Sequence, residues 1–381
     1  MSINSRHLKL SASLVSACLF LTGSASLADT VQFNASNWQP ESTALVKNGY
    51  KEWAETLEDM SGGTLKAKVF NGSVLLPPAA HLSGVRDGIA QVAFHAGTYT
   101  PADIPLDNIL AQLAFNYSDN FVATLAVTDI NMNNPELLAQ WDNHNIVFGG
   151  GFATIPYRLF CTTPVTTLAD LEGKKLRMPG SVHSDWAKSI GAVPVNVSSS
   201  EMYSGLEKGQ LDCASNTIEQ LKTSSLWDVA KHTTLVELGI YYAGYQWGMN
   251  KDFWTGLTDE QRRIMLDSFA QAMARVMIGY VEAGETVMSE LADHGVTAHE
   301  PADDLKQSIS DFKSNATASA IKVGEEKFQV ENAADLVAEF EATVEKWQGL
   351  MDGVDRTDDA AVAALIKAEI YDKIDVSTYG H

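Results

Sequence analysis

Leu168-Ala-Asp-Leu-Glu-Gly-Lys-Lys-Leu-Arg177-Met-Pro179-Gly180, followed by Gly191-Ala192-x-Pro194, Ser198-x-x-Glu201 and Gly209-x-x-Asp212, is the stretch whose reading decides the fold. A strand through Leu159 to Thr163 leads into a short helix that ends near Gly173. The next strand, Lys175 to Met178, is broken by Pro179-Gly180, because proline cannot donate to a ladder. A helix around Trp186 to Ile190 feeds a strand from Val193 to Val197. Ser198 and Glu201 form a capping box that opens another helix, which stops at Gly209. A strand from Gln210 to Ala214 follows and ends at Ser215-Asn216. Strand and helix alternating in this way predict an α/β chain with parallel strands.

Upstream, a β-prone run from Thr30 to Asn34 leads to Ser36-Asn37-Trp38. A helix follows with Val46, Tyr50, Trp53, Leu57 and Met60 on one face, stopped by Ser61-Gly62-Gly63. Leu65, Ala67 and Val69 alternate with lysines in a strand, and Gln91 to Phe94 is another, ending at His95-Ala96-Gly97-Thr98-Tyr99. The strand Ile146 to Phe148 runs into Gly149-Gly150-Gly151, which reads as a hinge or turn near the first crossing between domains. Downstream, Thr258-x-x-Gln261 is a capping box that opens a long apolar-faced helix through Phe269, Met277 and Met288 toward Gly295. At ~1.5 Å per residue it spans roughly 50 Å, long enough to brace two domains. Leu336, Phe340, Val344, Trp347 and Met351 mark a further amphipathic helix, and a short one near 360–370 closes the chain.

The first residues carry Arg6, His7 and Lys9, an apolar run from Leu10 to Leu21, and Ser26-Leu27-Ala28 before Asp29. This is the layout of a cleavable export signal over residues 1–28. A lipoprotein reading that retains Cys18 is the alternative. The expected location is the periplasm. The formal net charge of -21 argues against nucleic acid and against an anionic membrane surface as partners. An anionic ligand must then be held by a few local cations and backbone donors. Cys161 and Cys213 match no zinc or redox spacing and read as two inert buried thiols, with a disulfide as the alternative.

Ligands of open parallel α/β sheets bind beyond the carboxyl ends of strands. Arg177 and Asn216 end two such strands, and together they suit a carboxylate clamp. An Arg fork gives two parallel N–H bonds, and an Asn amide adds a third donor. The alternative is a structural ion pair at Arg177 and a cap at Asn216. Loop position adds Asn37 and Trp38, His95 to Tyr99 with Thr98 among them, and Tyr242, Tyr245 and Trp247, whose rings serve equally as core. Hydrolase, zinc-protease and phosphate-loop motifs are absent from the sequence, which argues against those enzyme classes.

The central run, with Lys251-x-Phe253-Trp254-x-x-Leu257, resembles the signature of TRAP-type (tripartite ATP-independent periplasmic) solute-binding proteins along essentially the whole mature chain. The resemblance implies a two-domain periplasmic-binding-protein-like α/β fold with mixed, mainly parallel sheets, a cleft and a long bracing helix. It implies a receptor rather than an enzyme, acting as a monomer, that delivers a small organic anion to the membrane subunits of a TRAP transporter. The expected division is residues 29–153 plus 245–283 as domain I, and 154–244 plus 284–381 as domain II with the C-terminal helices. The family's ligand-pairing arginine falls on Arg177 and its second carboxylate partner on Asn216. Where relatives often carry a further arginine, this chain has Tyr157 with Arg158 beside it. Where the metal-assisted branch has a Glu-Trp pair, Ser215-Asn216 stand, so neither metal nor cofactor is expected. A sulfonate or an aromatic acid in the same clamp is the alternative cargo, and a periplasmic enzyme or a sensor module the alternative role.

Overall fold

The computed structural model describes residues 1–2 and 30–381. The expected export signal, with Cys18, lies outside the described residues beyond its first two positions. Among the described residues eleven strands occur in order: β1 (Val31–Ser36), β2 (Leu65–Phe70), β3 (Val92–Ala96), β4 (Ile146–Gly150), β5 (Tyr157–Cys161), β6 (Lys175–Arg177), β7 (Val193–Val195), β8 (Cys213–Thr217), β9 (His232–Thr234), β10 (Gly244–Asn250) and β11 (Thr297–His299). They form two sheets, β2-β1-β3-β10-β4 and β11-β9-β5-β8-β6-β7. In the first, β1 is parallel to both neighbours while β10 runs antiparallel to β3 and β4. In the second, β6 is parallel to β7 and β8, and β5 runs antiparallel to β8 and β9. Two extended crossings join the sheets, after β4 and after β9, and the chain passes a third time after β10, along the long helix, to reach β11.

The two crossings run side by side. Thr154 N donates to Tyr241 O at 2.9 Å, and Tyr241 N returns a bond to Thr154 Oγ1 at 2.9 Å. Tyr157 N donates to Gly239 O at 2.8 Å. These bonds give backbone groups at the junction the partners that burial requires.

The long helix is Asp259–Glu290, 32 residues, opened by the Thr258–Gln261 capping box. Its first half packs under the first sheet, where Ser268 Oγ accepts the Trp53 indole N–H at 2.9 Å and Phe269 stacks on that ring. Its last turn contributes Val287 to the apolar cluster beneath the second sheet, and Leu291 follows there. One rigid rod therefore joins both layers.

Several expectations change. Gly149 and Gly150 lie inside β4 rather than in a hinge. Their lack of a side chain admits close neighbours: a Cβ at Gly149 would stand 2.8 Å from the Phe269 ring, and one at Gly150 would stand 2.9 Å from Tyr371 Oη. β8 runs on to Thr217, because β5 pairs with it through Tyr157↔Thr217, so Asn216 is a ladder residue. The C-terminal helices, assigned from sequence to domain II, pack against the first layer. In helix Ala333–Met351, Trp347 Nε1 donates to Asp129 Oδ2 at 2.8 Å, on helix Asn120–Asn133. Tyr371 Oη and Tyr379 Oη donate to Gly149 O and Phe148 O of β4.

Cys161 and Cys213 form a disulfide, overturning the reading as free thiols. They face each other as register partners on β5 and β8, which brings residues 52 apart in sequence into bonding range. Closing such a loop removes unfolded-state entropy, so the variant Cys161→Ala/Cys213→Ala should lose about 2–4 kcal/mol of unfolding free energy in a urea titration. An unchanged midpoint would contradict that contribution.

Candidate functional site

Between the two sheets lies a cleft closed down to a cavity of about 30 Å³, room for about two water molecules, so a bound solute needs the walls to stand further apart. Each layer supplies one wall. From the first come Trp38 after β1, Phe94 and Ala96 of β3, and Tyr99. From the second come Tyr157 of β5, Arg177 of β6, Pro179, Ser199, Asn216 and Thr217 of β8, and Glu219 with Gln220. Phe152, Thr154 and Tyr241 enter from the crossings, and Tyr280 from the long helix.

Arg177 is 1% exposed. Its strand lies between β7 and β8, and the guanidinium is pinned by backbone oxygens on either side: Nε donates to Val197 O at 3.0 Å, and Nη1 donates to Ser215 O at 2.9 Å. Ser215 Oγ donates in turn to Arg177 O at 2.9 Å. Among the described residues no carboxylate forms an ion pair with it. A buried cation held by neutral groups attracts an anion strongly, because its charge has lost water without gaining a counter-charge.

Asn216, 5% exposed, turns its Oδ1 to Thr217 N at 2.9 Å. Its Nδ2 has only the Met202 sulfur at 3.6 Å, a weak acceptor, so an amide donor remains free beside the cavity. Tyr99 Oη bridges the layers, accepting from Arg177 Nη2 at 3.4 Å and from Ser199 N at 3.0 Å. Thr98 Oγ1 donates to Pro179 O, and Gln112 Nε2 donates to Ser181 Oγ at 2.7 Å. These contacts hold the two walls together, so the arrangement is a closed one.

The apolar walls are mostly rings. Trp38 stacks on Phe94 with centroids 4.4 Å apart, Phe94 meets Phe152 edge-on at 4.8 Å, and Tyr157 lies parallel to Tyr241 at 6.4 Å. Burial pushes the Tyr157 phenol up, and the neighbouring Arg177 charge opposes that rise.

Of the residues expected from sequence, Arg177, Asn216, Trp38, Tyr157, Ala96 and Tyr99 line the cavity, and Thr98 sits at its closing edge. Asn37, His95, Gly97, Arg158, Tyr242, Tyr245 and Trp247 do not. His95 points from the opposite face of β3, its Nε2 2.8 Å from Thr100 Oγ1 and its ring against Tyr245. Arg158, one residue past Tyr157, likewise faces away and pairs with Glu237 at 3.0 Å. Asn37 is bonded to Asn71 at 2.8 Å. Tyr242 donates to Leu110 O at 2.7 Å and packs on Phe340, leaving the cavity to Tyr241. Trp247 is core, stacked on Phe269 at 4.5 Å. Sequence reasoning missed Phe94, Phe152, Tyr241, Tyr280 and Glu219.

The family model described as DctP, bacterial extracellular solute-binding protein family 7, matches residues 35–322. The C4-dicarboxylate-binding protein DctB of Bacillus subtilis is 27% identical over 256 residues, 64% of this chain and 69% of the relative. A marine-metagenome TRAP solute-binding protein specific for aromatic acids, solved with metahydroxyphenylacetate, superposes with a TM-score of 0.74 at 20% identity, covering 83% of this chain and 99% of that one. A TRAP periplasmic protein from Bordetella bronchiseptica with bound mandelate gives 0.72 at 22% identity, covering 83% and 99%. At such identities the likeness to the two structures is one of fold.

The burial that removes His95 from the cavity also holds its imidazole neutral, lowering its pKa to about 3. The unfolded chain takes up a proton near pH 6.5 and the folded one does not, so this group's contribution is full above that pH and is lost as pH falls toward 3. Replacing His95 with Gln should shrink the stability difference between pH 7 and pH 5 by about 2 kcal/mol in paired denaturant titrations. Parallel pH profiles would contradict this.

Proposed function

The chain belongs to family 7 of the bacterial extracellular solute-binding proteins, and on that premise we propose that it captures a small organic acid by its carboxylate in the cavity between its sheets. The observation that carries this reading is Arg177, buried at the cavity wall, fixed by two carbonyls and paired with no carboxylate among the described residues. Its Nη2 edge and Asn216 Nδ2 provide adjacent donors for one carboxylate. The ring-lined walls favour an acid with a flat apolar body, which makes aromatic acids the first class to test; two solved proteins of the same fold hold metahydroxyphenylacetate and mandelate. The same fork accepts a sulfonate.

The role follows as a sequence of binding steps. In the open form Arg177 and Asn216 stand on one wall and take the carboxylate first. Closure then brings Trp38, Phe94 and Tyr99 over the ligand, and Tyr99 Oη completes the bridge between Arg177 and Ser199. A ligand that touches both walls binds the closed form better and shifts the equilibrium toward it. Delivery to the membrane subunits of a TRAP transporter, export by the leader over residues 1–28, residence in the periplasm and action as a monomer complete the proposal. No helix among the described residues is long and apolar enough to cross a membrane.

A thermal-shift panel of small carboxylates and sulfonates on folded, ligand-free protein tests the reading, since a ligand that binds only the folded state raises Tm. Ligand recovered intact speaks for a receptor, and turnover for an enzyme. For a carboxylate that binds, Arg177→Ala should cost about 2–5 kcal/mol of affinity, part of it from lost positioning, and Asn216→Ala about 1.5–3 kcal/mol. Unchanged affinity in a folded Arg177→Ala variant would overturn the clamp.

A further inference from the structure

Arg177 and Glu219 are the two charged side chains among the residues lining the cavity. Glu219 is fully buried, two residues beyond the end of β8. Its Oε1 accepts from Thr217 Oγ1, and Gln220 Nε2 lies 3.5 Å from the same atom. Its Oε2 is also buried and has no hydrogen-bond partner among the described residues. A carboxyl oxygen left this way is costly in the empty protein, and a group arriving in the cavity can satisfy it.

We propose that Glu219 reads a hydroxyl on the ligand, so that the class taken up is a small ring-bearing hydroxy acid, its carboxylate on Arg177 and its hydroxyl on Glu219 Oε2. The inference rests on the receptor reading above. Burial raises the Glu219 pKa to about 7, so near neutral pH both the acid and the carboxylate are populated. The titratable groups that feel its charge are the phenols of Tyr157 of β5 and Tyr280 of the long helix, and Arg177 lines the same cavity. A hydroxyl donates to the carboxylate and accepts from the acid, and therefore pairs with either form. A keto oxygen only accepts. An ammonium only donates, and brings three N–H groups to one unpartnered carboxyl oxygen. A second carboxylate would set like charge against Glu219 whenever that group is ionised.

The test is calorimetric titration of the wild type with benzoate, phenylacetate, the three monohydroxybenzoates and mandelate, repeated on Glu219→Leu and Glu219→Gln. The expected result is that at least one hydroxy acid binds the wild type about tenfold or more tighter than its parent acid, and that Glu219→Leu reduces this preference to about threefold or less. In Glu219→Gln, whose amide nitrogen can only donate, the preference should move by about threefold or more, which decides the matter if the Leu variant does not fold. Parent acids that bind the wild type as tightly as their hydroxy derivatives, or a preference that both folded variants retain, would overturn the role of Glu219 and leave the carboxylate clamp standing. Failure of every acid on folded, ligand-free wild type would overturn both.

Discussion

A guanidinium kept out of water without a counter-charge is the constraint around which the second layer is arranged. Arg177 sits on a strand flanked on both sides, and Val197 and Ser215 hold its nitrogens from β7's extension and from β8. Neutral carbonyls orient the fork but do not cancel its charge. With a whole-chain net charge of -21, long-range attraction for an anion is lacking, and the site must work at short range inside a medium that screens little. The same isolation accounts for the sparing use of charge in the cavity: one cation, one carboxyl whose ionisation burial disfavours, and otherwise mostly rings, hydroxyls and amides.

A fixed charge on one wall is useful only if the other wall can come and go. The two crossings form a paired, bonded junction, and the long helix spans both layers, so relative movement is confined to the cleft side. There the layers meet through the Phe115 ring on His183 and Trp186 and through polar bridges from Tyr99 to Arg177 and Ser199, Thr98 to Pro179 and Gln112 to Ser181. The polar bridges exchange readily with water. The C-terminal helices add weight to the first layer through Trp347, Tyr371 and Tyr379 rather than bridging the cleft.

The α/β class, the capping boxes at Ser198 and Thr258 and the position of Arg177 were legible because each is written in local chemistry: apolar period, cap spacing, and a strand ended by Pro179-Gly180. What escaped was set by pairing between distant segments. β3 was expected to end at Phe94, but β10 extends it to Ala96, and within a strand successive side chains alternate. His95 therefore faces away, whereas Phe94 and Ala96 face the cavity. The same parity separates Tyr157 from Arg158. At the return crossing, Thr154 bonds Tyr241 and turns that ring inward, so the adjacent Tyr242 goes to the core; no local pattern distinguishes the two. Glu219 carried no motif at all. A lone acidic residue just beyond an apolar strand end was the one available signal, and only the unpartnered Oε2 gives it meaning.

The central claim is that the cavity recognises a negative charge at Arg177 rather than a shape. Titration of folded, ligand-free protein with an acid that binds and with its primary amide, nearly identical in size but uncharged, isolates that term. The account predicts that the amide binds about a hundredfold more weakly, or not measurably, since it leaves the buried guanidinium without a counter-charge. Equal affinity for acid and amide would contradict it.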